Sequence, residues 1–381
     1  MVELRGKLKR GCSQGNTAGS VVASGAVASR PVRTSPACNQ LHSRGTPEAW
    51  VPGFTQRHAG GVRTQLFRLG ENDLVLFDLQ IVTMQITIKT PFDFNFQRTV
   101  LSHGWCELVP FELDRRNWIL TRVLDVGRAR PVTVRISLGK RGLKVVTSRE
   151  VNETAAAGIV RDVRHMMRLD DDLQEFYVAM SADADFAWIT NEGAGRLLRS
   201  PTVYEDLVKM ICTTNCSWAL TEKMVTALVN ELGRKSDDDR KSFPNAQTMS
   251  EQSEAFYRDK IRAGYRAPYL KELAQRVASL EIAVETWLST DAALPDLIKE
   301  MKTVKGVGNY AAENLLKLIG RYDGLALDSW TRAQFAKMRN QGRSASDRKI
   351  SRFYARFDSW RGLALWCDMT RHWLDPENVV K

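Results

Sequence analysis

The sequence predicts an α+β protein, with a small N-terminal antiparallel β region followed by a mostly α-helical part. Three observations predict it. Residues 84–148 alternate apolar and polar side chains at the period of strands, and the chain from Glu150 onward repeats its apolar residues at helical spacing. Between two such helical runs lies the two-glycine turn Gly306-Val307-Gly308.

Residues 1–83 differ from the rest of the chain. Met1 to about Thr46 is rich in Gly, Ser, Ala, Thr and Arg, has Glu3 as its only acid and shows no sustained periodicity. A disordered basic extension, or a start misplaced ahead of Met84, is the first reading, because MQITIKTPFDFNF begins strand patterning at once. An organelle transit peptide, also rich in Arg and Ser and poor in acids, ranks behind it.

The β region spans 84–150. Gln85 to Ile88 alternates, as do Val132 to Ile136 and, beyond a Gly139–Gly142 turn, Leu143 to Val146; Trp118 to Val126 adds a β-branched run. Phe92, Phe94 and Phe96 sit two apart, which fits one face of a strand, while the intervening Asp and Asn fit a loop entry.

The helical region spans 151–381. Leu169 to Tyr177 is expected to open a helix with acids in its first turn, where the macrodipole favours them. Ser200 and Pro201 are the expected N-cap and first residue of a helix placing Leu207, Val208, Ile211 and Cys212 on one face. Thr213 to Trp218 interrupts it, a second amphipathic helix runs to Leu232, and Gly264-Tyr265-Arg266-Ala267-Pro268-Tyr269 leads into another.

The chain has 381 residues, with 55 Lys and Arg against 44 Asp and Glu, a net charge of +11. That balance suits a polyanion, nucleic acid or an anionic membrane surface. No apolar run approaches the roughly 20 residues of a membrane span. The six cysteines, at 12, 38, 106, 212, 216 and 367, form no disulfide framework, and no His/Cys cluster has zinc-ligand spacing. A soluble protein of a reducing compartment without a metal site is expected.

The most informative stretch is MKTVKGVGNYAAENLLKLIGRYDGLALDSWTR, residues 301–332. An apolar helix from Leu294 to Met301 precedes the glycines. Asn309 opens a second helix, in which Ala312, Leu315, Leu316 and Ile319 share a face, and Gly320 stops it. A glycine hairpin brings backbone N–H groups close to an anion, and the following helix N-terminus adds a favourable dipole. One phosphate can be held there by Gly306, Val307, Gly308 and Asn309 without reading sequence. Asp328 then precedes Ser329-Trp330-Thr331-Arg332, where helix capping is the bland role for an aspartate.

The order of GVGNYAAENLLKLIG, loop and ALDSWTR resembles the helix-hairpin-helix DNA glycosylases. GAGRLLRSPTVYEDLVKMICTTNCSWALT, RAGYRAPYL and DDDLQEFY are similar to segments of the same family, in its 8-oxoguanine and 3-methyladenine II branches. The resemblance covers most of 84–381 and implies a hairpin at 301–320 and a catalytic loop at 321–330. It implies a base-excision enzyme acting on duplex DNA that contains a damaged or mismatched base. Asp328 would stabilise the positive charge that builds on the deoxyribose as the base leaves, or activate water. A non-catalytic DNA-binding protein that keeps the hairpin is the alternative.

The resemblance assigns Asn215 to the hole left by the extruded base, against its reading as a helix-breaking turn. Trp218 is either a stacking platform or core, and Trp360, Trp366, Met369 and Trp373 are either base pocket or packing. Lys305 and Arg332 flank hairpin and acid as phosphate contacts or as solvated charge. Two departures matter. Bifunctional relatives carry a lysine where this chain has Tyr310, so strand cleavage through an amine is not expected. Iron–sulfur relatives need four cysteines after the hairpin, where only Cys367 lies, so no cluster is expected. Leu365 and Met369 stand near positions where the 8-oxoguanine branch has glutamine and phenylalanine. No other cofactor is implied beyond a monovalent cation at the hairpin. A monomer is expected, cytoplasmic or at the nucleoid in a bacterium, nuclear or organellar in a eukaryote.

Overall fold

The computed structural model describes residues 83–375 and the backbone of two earlier strands. These strands, β1 (Thr64–Arg68) and β2 (Leu74–Asp78), belong to the segment expected to be disordered or spurious; the rest of that segment lies outside the described residues. They pair with β3 (Gln85–Ile88), so the sheet begins upstream of Met84.

Four further strands complete it: β4 (Phe111–Asp114), β5 (Ile119–Leu124), β6 (Val132–Gly139) and β7 (Gly142–Thr147). The order is β1-β2-β3-β7-β6-β5-β4, antiparallel throughout. Its register follows the apolar alternation. Ile86 faces Val145, Val145 faces Ile136 and Ile136 faces Leu120, a fully buried row across four strands. Helix Glu153–Met167, capped by Asn152, packs Ile159, Val163 and Met166 into the same core.

The three phenylalanines are not a strand. Phe92 is exposed in a loop, Phe94 is partly buried, and Phe96 is buried at the start of the short helix Phe96–Val100, which Asn95 caps. Tertiary contacts override the period of two here: the loop runs beside Gly193, where a Cβ would lie 2.3 Å from the Asp93 carbonyl. Nor do the acids after Leu169 open a helix. Gln174–Ser181 starts later, and Asp171 instead accepts from Arg168, with Arg199 3.6 Å away.

The predicted cap at Ser200 is also displaced. Thr202 caps helix Val203–Thr213, and Ser200 is drawn into a buried polar cluster. Its N–H donates to Asp206 Oδ1 at 2.9 Å, and its hydroxyl accepts from Lys209 Nζ at 3.1 Å. Asp206 also accepts from Trp105 Nε1 at 2.7 Å. Glu205 pairs with Lys209 at 2.6 Å and takes a two-pronged contact from Arg122 of β5, at 2.9 and 2.5 Å. Burial pushes the Glu205 carboxyl up, but Arg122 and Lys209 outweigh it and hold the group at about 2. This cluster clamps the sheet to the helix that ends at the Asn215 turn.

Candidate active site

Helix Leu294–Met301 enters the hairpin with Pro295 in its first turn and buries Leu297 and Met301. The turn is then closed by two 3.1 Å bonds, Val304 N–H to Met301 O and Val307 N–H to Val304 O. Gly306 has φ +90°, in the region that favours glycine, and a Cβ there would lie 2.9 Å from the Tyr269 ring. Gly308 is different: its φ is −89° and a Cβ would meet nothing within 4 Å. No side chain caps helix Asn309–Leu318, so its first N–H groups face outward beside exposed Gly308, Asn309 and Tyr310. A monovalent cation at the hairpin would be held by neutral backbone oxygens such as that of Val304. The Val304 carbonyl keeps a second lone pair, so the donor type fits a singly charged ion better than a transition metal.

From the buried apolar face of Ala311, Ala312, Leu315 and Leu316, helix Asn309–Leu318 turns a second face toward the loop that carries Asp328. Tyr310 donates its phenol to Asp328 Oδ2 at 3.1 Å. Burial and the Asp328 carboxylate both push that phenol up, although 37% of the residue remains exposed. Asp328 Oδ1 accepts from the Thr331 N–H at 2.7 Å and hydroxyl at 2.8 Å, and the Asp328 N–H donates back to Thr331 Oγ1 at 2.8 Å. Asp328 is therefore the N-cap of helix Ser329–Arg339 through a capping box. The capping role is real, and it uses one carboxylate oxygen; the other faces Tyr310.

Beyond Asp328, Trp330, Trp366 and Trp373 cluster with ring centroids 5.8–6.2 Å apart. Trp366 Nε1 donates to Ser102 O at 2.7 Å. Leu365 and Met369 are wholly buried, and Trp360 stacks on Tyr322 at 5.4 Å, so these three pack. Trp218 packs as well: a Cβ at Gly104 would lie 2.4 Å from its ring.

Asn215 stands exposed at φ +47° in the turn between helices Val203–Thr213 and Trp218–Leu232. Neighbouring Thr214 O accepts from Tyr265 Oη at 3.1 Å and from the buried Arg266 guanidinium. Tyr265 is half exposed and meets Tyr269, whose ring lies against Gly306. The Asn215 turn, Tyr265 and the hairpin are thus stitched into one surface. The two expected phosphate contacts both have partners within the chain. Lys305 pairs with Glu272 at 2.5 Å, and Arg332 grips Asp347 at 2.7 and 2.9 Å.

Two further residues of the hairpin helix hold the loop ahead of Asp328, a contact that the sequence did not show. Glu313 Oε2 accepts the Ala326 N–H at 2.5 Å, and Lys317 Nζ donates to the Leu325 carbonyl at 3.0 Å. Lys317 is 2% exposed, with Nζ 5.9 Å from the Trp366 centroid. Burial pulls its ammonium down to about 7, against the pull of the Glu313 and Asp328 carboxylates. Their only signal was a Glu–Lys pair four apart, the mark of an ordinary surface pair. Cys367 is buried, which pushes its thiol up to about 12. Among the described residues, no group of three or more His, Cys, Asp or Glu is placed to hold a metal.

Searched as a sequence, the chain matches no family model and no curated protein. Its structure is similar to several solved ones. The protein MBOgg1, in complex with a low-affinity DNA ligand, superposes with a TM-score of 0.59 at 20% identity, covering 80% of this chain and 96% of its own. The 8-oxoguanine glycosylase/lyase of Clostridium acetobutylicum, in complex with double-stranded DNA containing cytosine opposite 8-oxoguanine, gives 0.58 at 17%, covering 81% and 97%. The 3-methyladenine DNA glycosylase of Archaeoglobus fulgidus gives 0.59 at 18%, covering 75% and 97%. In fold, the chain resembles the helix-hairpin-helix DNA glycosylases of the 8-oxoguanine and 3-methyladenine branches.

Proposed function

We propose that this protein is a base-excision DNA N-glycosylase that hydrolyses the glycosidic bond of a damaged or mismatched base and does not cleave the strand. The observation that carries the reading is the attachment of Asp328 to the hairpin helix through Tyr310, 3.1 Å from Oδ2. A phosphate at the uncapped start of helix Asn309–Leu318 and a sugar at Asp328 then have a fixed separation. Phosphate contact there positions the duplex without reading it; the Val304 carbonyl would help hold a monovalent cation, which would supply positive charge beside the phosphate. As the base departs, Asp328 Oδ2 stabilises the positive charge on the deoxyribose or takes a proton from the attacking water. Oδ1, committed to Thr331, holds the carboxylate in place.

Asn215 enters the hole left by the extruded base, and the exposed ring of Tyr265 stacks on the opened duplex beside it. The tryptophan cluster beside Asp328 offers flat surface to the base. Lys305 and Arg332 contact phosphate by exchanging Glu272 and Asp347 for it.

A phenol at position 310 cannot form the imine that a lyase needs. The other amines nearby are engaged, Lys305 with Glu272 and Lys317 inside the protein. Excision is tested on duplexes that each carry one alkylated purine, hypoxanthine, a uracil or thymine mismatch, or 8-oxoguanine. Release of one of these bases, with strand breaks only after alkali and no borohydride-trapped adduct, is the expected result. No release from any duplex contradicts the reading.

A further inference from the structure

We propose that Glu313 and Lys317 are positioning residues for Asp328, gripping consecutive backbone groups of its loop from successive turns of the hairpin helix. The inference rests on the reading of Asp328 as the catalytic carboxylate.

Tyr310, Glu313 and Lys317 are three and four apart, so they form one stripe along helix Asn309–Leu318. Each reaches a different point of one short segment. Lys317 Nζ holds the Leu325 carbonyl at 3.0 Å, Glu313 Oε2 holds the Ala326 N–H at 2.5 Å, and Tyr310 Oη holds Asp328 Oδ2 at 3.1 Å. The segment needs such support. Ala326 sits at φ +53°, a conformation that a residue with a Cβ keeps only when its surroundings enforce it.

On its other side the loop is held by backbone and by the Arg361 guanidinium, which donates to Asp323 O. The Gly362 N–H donates to Tyr322 O at 2.8 Å, and a Cβ at Gly362 would lie 2.0 Å from Gly324 O. Gly324 in turn lies so close to Glu313 that its own Cβ would be 2.8 Å from Cγ. The loop is thus wedged between the hairpin helix and helix Arg361–Thr370; Arg361 holds its start at Asp323, and the hairpin helix grips the part next to Asp328.

Burying a lysine is costly unless its ammonium is bonded. An apolar residue would serve packing alone, so the position of Lys317 is accounted for by the carbonyl that it holds. Through this stripe, the helix whose N-terminus meets phosphate also fixes where the carboxylate meets the sugar.

The test compares Lys317→Met, Glu313→Ala and Glu313→Gln with the wild type. It measures single-turnover base release, DNA affinity and hydrogen exchange of the loop amides. Lys317→Met and Glu313→Ala are expected to slow release about 100-fold, the scale of a misplacement near 1 Å, with affinity unchanged and faster exchange around Ala326. Glu313→Gln keeps an oxygen acceptor for the Ala326 N–H and is expected to restore most of the rate.

Three results would overturn the proposal: wild-type release rates in Lys317→Met and Glu313→Ala, release and affinity falling together, or a Glu313→Gln variant as slow as Glu313→Ala. If the wild type releases no base from any duplex, the reading of Asp328 fails separately. Loop exchange then still decides, since faster exchange in the variants upholds the grip and unchanged protection refutes it.

Discussion

At Asp328 the two carboxylate oxygens do different work, Oδ1 capping helix Ser329–Arg339 through Thr331 and Oδ2 meeting Tyr310. This division makes Tyr310 testable from two directions. Tyr310→Phe removes one hydrogen bond to a charged group, worth about 1.5–3 kcal/mol, but leaves the cap; base release should fall less than in Asp328→Asn. Tyr310→Lys puts an amine beside the reacting sugar and is expected to yield a borohydride-trapped adduct that the wild type does not form. An adduct formed by the wild type would contradict the account of residue 310. Asp328 and Tyr310 were legible in the sequence because they are fixed by their spacing from the hairpin. The loop contacts of Glu313 and Lys317 were not, because their partners are backbone groups of a loop whose path no local pattern encodes.

At the scale of elements, the hairpin's two glycines do different jobs. At Gly306 the positive φ and the Tyr269 ring both oppose a side chain, so Gly306→Ala should cost stability on the order of 1–3 kcal/mol as well as DNA affinity. Gly308→Val has room for its Cβ and no positive φ to oppose it, so it should cost less stability than Gly306→Ala. It should nevertheless weaken binding to damaged and undamaged duplex alike, because on the proposed reading phosphate approaches there. A loss confined to one lesion would show that the hairpin reads bases. The helices on either side of these glycines follow their apolar periodicity closely. Where the sequence misled, at Ser200 and at Phe92 to Phe96, a tertiary partner had overridden a sound local signal. Asp206 and Lys209 claim Ser200, and the loop beside Gly193 claims the phenylalanine segment.

For the molecule as a whole, the α+β order was visible in the switch of apolar period near residue 150. The extent of the sheet was not, because β1 and β2 lie within a segment whose first half is compositionally unlike a folded domain. Neither could the sequence show that buried charge joins sheet and helices.

Burial dominates the histidines near this junction, lowering His103 to about 4 and His165 to about 3. Both folded values lie below the unfolded value near 6.5, so the unfolded chain binds more protons as pH falls below 6.5. Stability should therefore decline from about pH 6.5 downward, by roughly 3 kcal/mol for each histidine on reaching pH 4. Glu205, held at about 2, contributes stability that is present above its unfolded value near 4.3 and lost as pH falls through about 2. Denaturant unfolding at a series of pH values checks this, and His165→Gln should flatten the decline between 6.5 and 4. An equally steep decline in that variant would contradict the assignment.

The central claim, that Asp328 breaks the glycosidic bond, is tested most directly by single-turnover base release with wild type and Asp328→Asn on one cleavable lesion duplex, with DNA affinity measured alongside. Asparagine can still accept the Thr331 N–H, so the cap survives the substitution. Removing a negative charge beside a polyanion should leave affinity equal or slightly higher, while loss of the carboxylate removes stabilisation that matters only in the transition state. Base release abolished at undiminished affinity is the predicted result; release by Asp328→Asn at near wild-type rate would contradict it.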